Sequence, residues 1–224
     1  MNYRDELFEK GYIIIKNALP IELLNKCKSE ILDYISNNKC IVNCDGITIP
    51  DFIKKDNFKT VAELRNNNII LLILDDIFDK NYRFCIHNDI GINRVVGWHK
   101  DKLNGIYEKY ETINIWDSYE GETHEIVKVL IYLQDHSNND DGLRIIPYSH
   151  NTNDYSTNNS ILLHPELGDI IIFDQRITHR GICQQVEVPR ILVSFGYGKN
   201  NIFTDNFEKG TINRQNDQNN NINN

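Results

Sequence analysis

Long apolar runs are missing from this chain. A stretch such as residues 68–74 is far shorter than the roughly 20 residues a membrane-crossing helix needs. Clusters of Lys and Arg are missing as well. The 24 basic residues are outnumbered by 32 acidic ones, and the formal net charge is −8. That balance argues against binding to nucleic-acid backbones or anionic membrane surfaces, both of which need basic surface. The first eleven residues are charged and contain no apolar segment of a secretory leader, so none is expected. The five cysteines (Cys27, Cys40, Cys44, Cys85, Cys183) contain no CxxC pair and no regular spacing. They read as free thiols in a reducing compartment, and the expected location is cytoplasmic. Cys40 and Cys44 are close enough to act as paired ligands, but no second pair completes a zinc site.

What is present is ordinary for a globular chain: 25% charged and 40% hydrophobic residues over 224 positions, enough for one domain with a sizeable core. The expected organisation is one domain over 1–204 and a flexible, Asn-rich tail over 205–224 with little to bury. The helical material falls in the first third. Residues 3–10 read as a short helix broken by Gly11. Residues 21–35 carry an apolar stripe at helical spacing, best read as packing against a sheet. Residues 37–60 look irregular, with Asp45-Gly46 and Pro50 as turn signals, and 61–66 suggest a helical turn. Strands are predicted over 12–16, 82–92, 95–100, 127–133, 143–146, 161–163, 169–173 and 191–197. Many short strands without intervening helices imply a sandwich or barrel. The long segment 102–126, with three tyrosines and Trp116, reads as cover over a substrate or as a packed loop.

Chemistry concentrates at Gly97-Trp98-His99-Lys100-Asp101. Residues two apart on a strand share a face. His99 and Asp101 would present a nitrogen and a carboxylate side by side, two thirds of the 2-His-1-carboxylate face that holds non-haem Fe(II). Lys100 would point the other way. A third donor is available in His179, delivered by a polar turn after the apolar run 170–173. Arg190 opens the next apolar strand. Pointing inward, it would need an anion, and a carboxylate matches its fork best. Period 2 puts Leu192 and Ser194 on Arg190's face, and the Ser194 hydroxyl could share that carboxylate.

In order and spacing, these residues resemble the phytanoyl-CoA dioxygenase family. The resemblance runs from about Leu7 to Gly198. It rests on His99-x-Asp101, the strand 129–135, Gly142-Leu143 with Pro147-x-Ser149-His150, Gly168-Asp169 with Phe173-Asp174-x-Arg176-x-x-His179-Arg180-Gly181, and Arg190. It implies a double-stranded β-helix (a jelly roll, cupin-like), mainly β with flanking helices, its N-terminal helices packed on one sheet. It also implies an Fe(II)- and 2-oxoglutarate-dependent dioxygenase. His99, Asp101 and His179 would ligate the metal, Arg190 would bind the distal carboxylate of 2-oxoglutarate, and O2 would be the oxidant. A small-molecule substrate would be hydroxylated, with release of succinate and CO2. Relatives that halogenate lack the metal carboxylate, so Asp101 favours hydroxylation. Tyr148 stands where the family usually has glycine, and Asp141 where many members have a second one. A non-catalytic jelly-roll binding module with a vestigial site is the alternative, and a cupin-like metalloenzyme without an oxo-acid cosubstrate would leave Arg190 unexplained. His150 reads as a structural hydrogen-bonding residue. Asp174 reads equally as an orienter of His179 or as a turn cap. Arg176 and Arg180 read as substrate-steering groups or as ion-pair partners. Arg83 and Arg94 are weak candidates for substrate contact, and Trp98 reads as a core aromatic. No sequence feature fixes the oligomeric state.

Overall fold

Strands whose residues alternate between two buried faces build the molecule. A computed structural model describes residues 2–38, 40–43, 46–101, 112–138, 140–153, 156–182 and 189–222. Within them, α1 (Tyr3–Lys10) is capped by the Asn2 side chain, which accepts from the Asp5 backbone N–H. It ends at Gly11, whose φ of 86° is left-handed and whose α-carbon lies so close to the His150 ring that a Cβ would overlap it. After β1 (Tyr12–Ile15), α2 (Ile21–Asn37) buries Leu24, Cys27 and Ile31. A hairpin of β2 (Ile41–Asn43) and β3 (Gly46–Pro50), then α3 (Lys59–Glu63) and α4 (Asn68–Phe78), completes the first third.

The remaining strands are β4 (Tyr82–Ile92), β5 (Val96–His99), β6 (Ile126–Tyr132), β7 (Gly142–Ile145), β8 (Ile161–Leu163), β9 (Ile170–Asp174), β10 (His179–Ile182) and β11 (Ile191–Lys199). They form a larger antiparallel sheet, ordered β1-β9-β6-β11-β4-β3-β2, and a smaller one, ordered β5-β10-β7-β8. This is the jelly-roll architecture, mainly β with flanking helices, and α1 to α4 lie on the outer face of the larger sheet. In β6, Val127, Val129 and Ile131 join the helix-side core with Leu24, Ile31, Phe78 and Phe195. Leu130 and Tyr132 face the opposite way and meet Leu143, Ile145 and Phe173 between the sheets. Burial on both faces is why β6 reads as a near-continuous apolar run.

Two expectations are corrected. Residues 37–60 are not irregular throughout: β3 pairs with β4 through Ile47↔Ile92 and Ile49↔Ile90. Such short strands carry too few alternating residues for a periodic signal. The polar turn after β9 leads into His179, which opens β10 and pairs on both sides. The expected frayed tail is helical over most of its length: α5 runs Ile202–Ile222. Asn201 accepts from the backbone N–H of Phe203 and Thr204 at its start, and Phe203 and Phe207 are buried. The low hydrophobicity that suggested disorder is offset by those two phenylalanines and by ion pairs from Arg83 to Asp205 and Glu208 and from Arg214 to Asp89. Among the described residues no helix is long and apolar enough to cross a membrane. Cys27, Cys40 and Cys85 are free thiols, and Cys44 and Cys183 lie outside the described residues.

Tyr148 adopts φ 66° and ψ −4°, and the residue is 54% exposed. A left-handed non-glycine residue costs about 1–2 kcal/mol, of which added chain entropy in the unfolded state returns part on replacement by glycine. Tyr148→Gly is therefore expected to raise unfolding stability by about 0.5 kcal/mol in urea titration. A clear loss of stability would mean that the tyrosine ring contributes packing that its exposure does not suggest.

Candidate metal centre and cavity

Antiparallel pairing of β5 and β10 sets His99 directly opposite His179, with ring centroids 4.2 Å apart. Asp101 lies two residues beyond the end of β5, on a bend tied down by its N–H donating to the Gln175 carbonyl at 2.9 Å. One ligand atom from each of the three lies within 4.8 Å of the others. His99 Nε2 is 3.5 Å from Asp101 Oδ1, and His179 Nε2 is 3.6 Å from Asp101 Oδ2. Each imidazole donates its Nδ1–H to the backbone carbonyl two residues upstream: His99 to Gly97 at 2.7 Å, His179 to Ile177 at 3.0 Å. Those bonds leave both Nε2 lone pairs aimed at the carboxylate. Burial, helped by His99, pushes the His179 pKa down to about 4, so it is neutral at physiological pH. Burial also works against the Asp101 carboxylate, but Lys128, His179 and His99 outweigh it and hold its pKa well below the usual range. Three potential ligand atoms therefore converge on one point. This donor set fits a divalent transition metal on one face and leaves other positions open. Lys100 turns away, fully buried, and donates to the carbonyls of Ser149 and Arg176.

A cavity of about 330 Å³ opens from this cluster between the sheets. Its floor is a ladder of cross-strand pairs, Lys128↔Gly196, Leu130↔Ser194 and Tyr132↔Leu192. Lys128 Nζ lies 3.0 Å from Asp101 Oδ2, which places one end of the ladder beneath the cluster. At the other end, Arg190 is 4% exposed. Its Nη1 donates to the Tyr132 hydroxyl at 3.4 Å, and its Nη2 donates to the Arg94 carbonyl. Its Nε has no partner, and no carboxylate pairs with it, among the described residues. Gly181 leaves room for the guanidinium, since a Cβ there would sit 3.2 Å from Nη2. Ser194 lines the middle of the floor and donates to the Asp89 carbonyl at 3.2 Å.

Sequence reasoning missed the remaining wall. His87 and Asp89 from β4 face Arg214 and Gln218 from α5 across the cavity. Arg214 Nη2 pairs with Asp89 Oδ2 at 3.2 Å. Burial opposes the Asp89 charge, but Arg214, His87 and Lys128 hold its pKa at about 2. Burial drives the His87 pKa well below its ordinary value. Lys128 had a readable signal, a lone lysine inside Ile-Val-Lys-Val-Leu-Ile-Tyr; His87 and Arg214 had none. Of the other candidates, Arg176 grips Asp174 through Nε and Nη2, and Asp174 accepts from the Arg176 N–H, so this pair closes a turn. His150 bonds to the Phe8 carbonyl at 3.0 Å. Arg180 stacks over Trp98. Arg83 pairs with Glu208 on α5, whereas Arg94 lines the cavity.

No family model matches the chain, and no curated protein matches it significantly. Solved structures do match. HygX from Streptomyces hygroscopicus, with nickel and 2-oxoglutarate bound, is similar at TM-score 0.67 and 16% identity, covering 88% of this chain and 85% of that one. The non-haem α-ketoglutarate-dependent epimerase SnoN from nogalamycin biosynthesis is similar at TM-score 0.68 and 12% identity, covering 87% and 80%. AviO1 from Streptomyces viridochromogenes Tue57 is similar at TM-score 0.69 and 13% identity, covering 88% and 94%. At these identities the likeness is one of fold.

Proposed function

We propose that this chain is an Fe(II)- and 2-oxoglutarate-dependent dioxygenase, of the phytanoyl-CoA dioxygenase kind, that hydroxylates a small polar molecule. One arrangement carries the reading: two histidines and a carboxylate converge at one end of a cavity whose other end holds a buried guanidinium without a carboxylate partner among the described residues. Structural neighbours support it: HygX binds 2-oxoglutarate, and SnoN is an α-ketoglutarate-dependent epimerase.

His99, Asp101 and His179 would hold the metal. When bound, Fe(II) supplies the activation of O2 that couples oxidation of a C–H bond to conversion of 2-oxoglutarate into succinate and CO2. The chain's own residues do the positioning. Arg190 offers a two-pronged donor to the distal carboxylate, and the Tyr132 hydroxyl braces it. Leu130, Leu143 and Leu192 keep water from the space between. Phe173 packs on the His179 ring at 4.7 Å and fixes its tilt.

The substrate would enter beside β4 and α5. Among the described residues nothing from 112–126 lines the cavity, whereas Phe207, Arg214 and Gln218 of α5 do. Residues 102–111, also expected to face the substrate, lie outside the described residues. The cavity's charged side chains are Arg94, Lys128, Arg190 and Arg214 against Asp89 and Asp101. A cationic interior in a chain of net charge −8 favours a polar substrate with anionic or hydrogen-bonding groups over a bare hydrocarbon. HygX with hygromycin B bound and SnoN with nogalamycin RO bound are neighbours that take small-molecule ligands.

The test is a metabolite-panel screen for Fe(II)-dependent conversion of 2-oxoglutarate to succinate, with mass spectrometry of each hit. A product heavier by one oxygen is expected. An isomerised or ring-closed product would retain the oxygenase chemistry but overturn hydroxylation; the neighbours include an epimerase and the carbocyclase SnoK. No metal binding and no turnover would leave a jelly-roll module with a vestigial site.

A further inference from the structure

We infer that Lys128 couples metal binding to binding of the anionic cosubstrate, so that the centre fills with both together in preference to the metal alone. The inference rests on the metal and oxo-acid reading above. Lys128 is the third residue of β6, a strand buried along its whole length, and is itself 7% exposed. Its ladder neighbours are Gly196 on β11 and Phe173 on β9, so neither flanking strand offers a carboxylate at that level. The charged and titratable groups lining the cavity around it are Asp101, His99 and His179 at one side and His87, Asp89 and Arg214 at the other. Arg214 already occupies Asp89. Lys128 is thus left to Asp101, and that 3.0 Å contact is its ion pair among the described residues.

A buried ammonium therefore shares its counter-ion with the place where a divalent cation would be held. In the metal-free chain Lys128 neutralises Asp101 and keeps a half-buried carboxylate from standing alone. When a metal arrives, one carboxylate must serve two cations close together in a cavity where charges are poorly screened, and their repulsion weakens binding of the metal by itself. An entering 2-oxo diacid reverses the sign. One of its carboxylates goes to Arg190, while the other arrives at the metal end and gives the Lys128 ammonium a second acceptor. The lysine then favours the ternary state over the metal-only state. Lys128 acts here as a positioning residue through its charge. A merely structural role, filling space beside Phe173 and neutralising Asp101, would alter stability and leave the coupling untouched.

The experiment is Mn(II) binding to the full chain by calorimetry, with and without saturating N-oxalylglycine, in wild type, Lys128→Met and Lys128→Arg. Wild type is expected to bind Mn(II) about tenfold or more tighter with N-oxalylglycine present. Lys128→Met should bind Mn(II) alone about tenfold tighter than wild type and gain about tenfold less from N-oxalylglycine, the remaining gain being chelation of the metal, while Lys128→Arg keeps the full coupling. By reciprocity the same factor must appear in N-oxalylglycine affinity with and without Mn(II). Equal coupling in wild type and Lys128→Met overturns the inference and leaves the metal reading standing. No Mn(II) binding by wild type under either condition overturns the metal reading itself. Should Lys128→Met not fold, Lys128→Gln removes the charge while keeping a polar side chain, and the same comparison applies.

Discussion

Asp101→Ala is expected to abolish metal binding and to lower Fe(II)-dependent succinate formation by roughly a thousandfold or more. Two imidazoles remain in that variant, but the cluster's carboxylate is gone and the Lys128 ammonium is not. The cluster turns from a cation trap into a cationic site. The fold should survive, because β5 and β10 pair through backbone groups that Asp101 does not supply. Some stability is lost, since a 7% exposed lysine is left without its carboxylate. Asp101 is itself partly exposed, so the loss is about 1–2 kcal/mol and not the larger figure for a fully buried pair. Lys128→Met combined with Asp101→Ala should recover part of that stability and none of the metal binding. Metal analysis after dialysis and urea unfolding of the two variants read both halves. Full metal retention by Asp101→Ala would remove Asp101 from the ligand set.

Arg190→Ala is expected to raise the 2-oxoglutarate concentration required for half-maximal turnover about a hundredfold, with a much smaller change in the maximal rate. A buried, bidentate, charge-assisted contact of this kind contributes about 3 kcal/mol, and each 1.4 kcal/mol is a factor of ten. Mn(II) affinity in the absence of an oxo acid should be unchanged, because Arg190 lies at the opposite end of the β6–β11 ladder from Asp101. Arg190→Lys keeps the charge but loses the planar fork, and should fall between wild type and alanine. An unchanged 2-oxoglutarate requirement in Arg190→Ala would detach this arginine from the cosubstrate. It would leave the buried guanidinium to be explained by an anion of another kind.

The strands were legible as short, near-continuous apolar runs bounded by turn residues, because alternate residues of β9 and β11 fill two different buried layers. The placement of His99 and Asp101 side by side and of Lys100 behind them follows from the same alternation, although β5 itself stops at His99. Arg190 was legible as a problem: an arginine heading an apolar strand must find an anion if it turns inward, and it does turn inward. The illegible parts share a cause. The charge of the cavity is assembled from β4, β6, β11 and α5, so Arg94, Lys128, Arg190 and Arg214 form no cluster in the chain. The Asn-rich end reads as unable to bury anything, yet α5 is anchored by Phe203 and Phe207 and pinned by ion pairs from Arg83 to Asp205 and Glu208. Single-residue anchors of that sort have no period. A helix that composition alone would have discarded therefore supplies part of the cavity wall, while residues 102–111 lie outside the described residues.

The most direct test of the central claim is an anaerobic titration of the purified chain with Fe(II) in the presence of 2-oxoglutarate, followed by visible absorption. The account predicts a charge-transfer band that appears only when Fe(II) and the keto acid are both present. It should saturate at one iron per chain, and it should be missing in Asp101→Ala. No band at any ratio, or an equal band in Asp101→Ala, would contradict it.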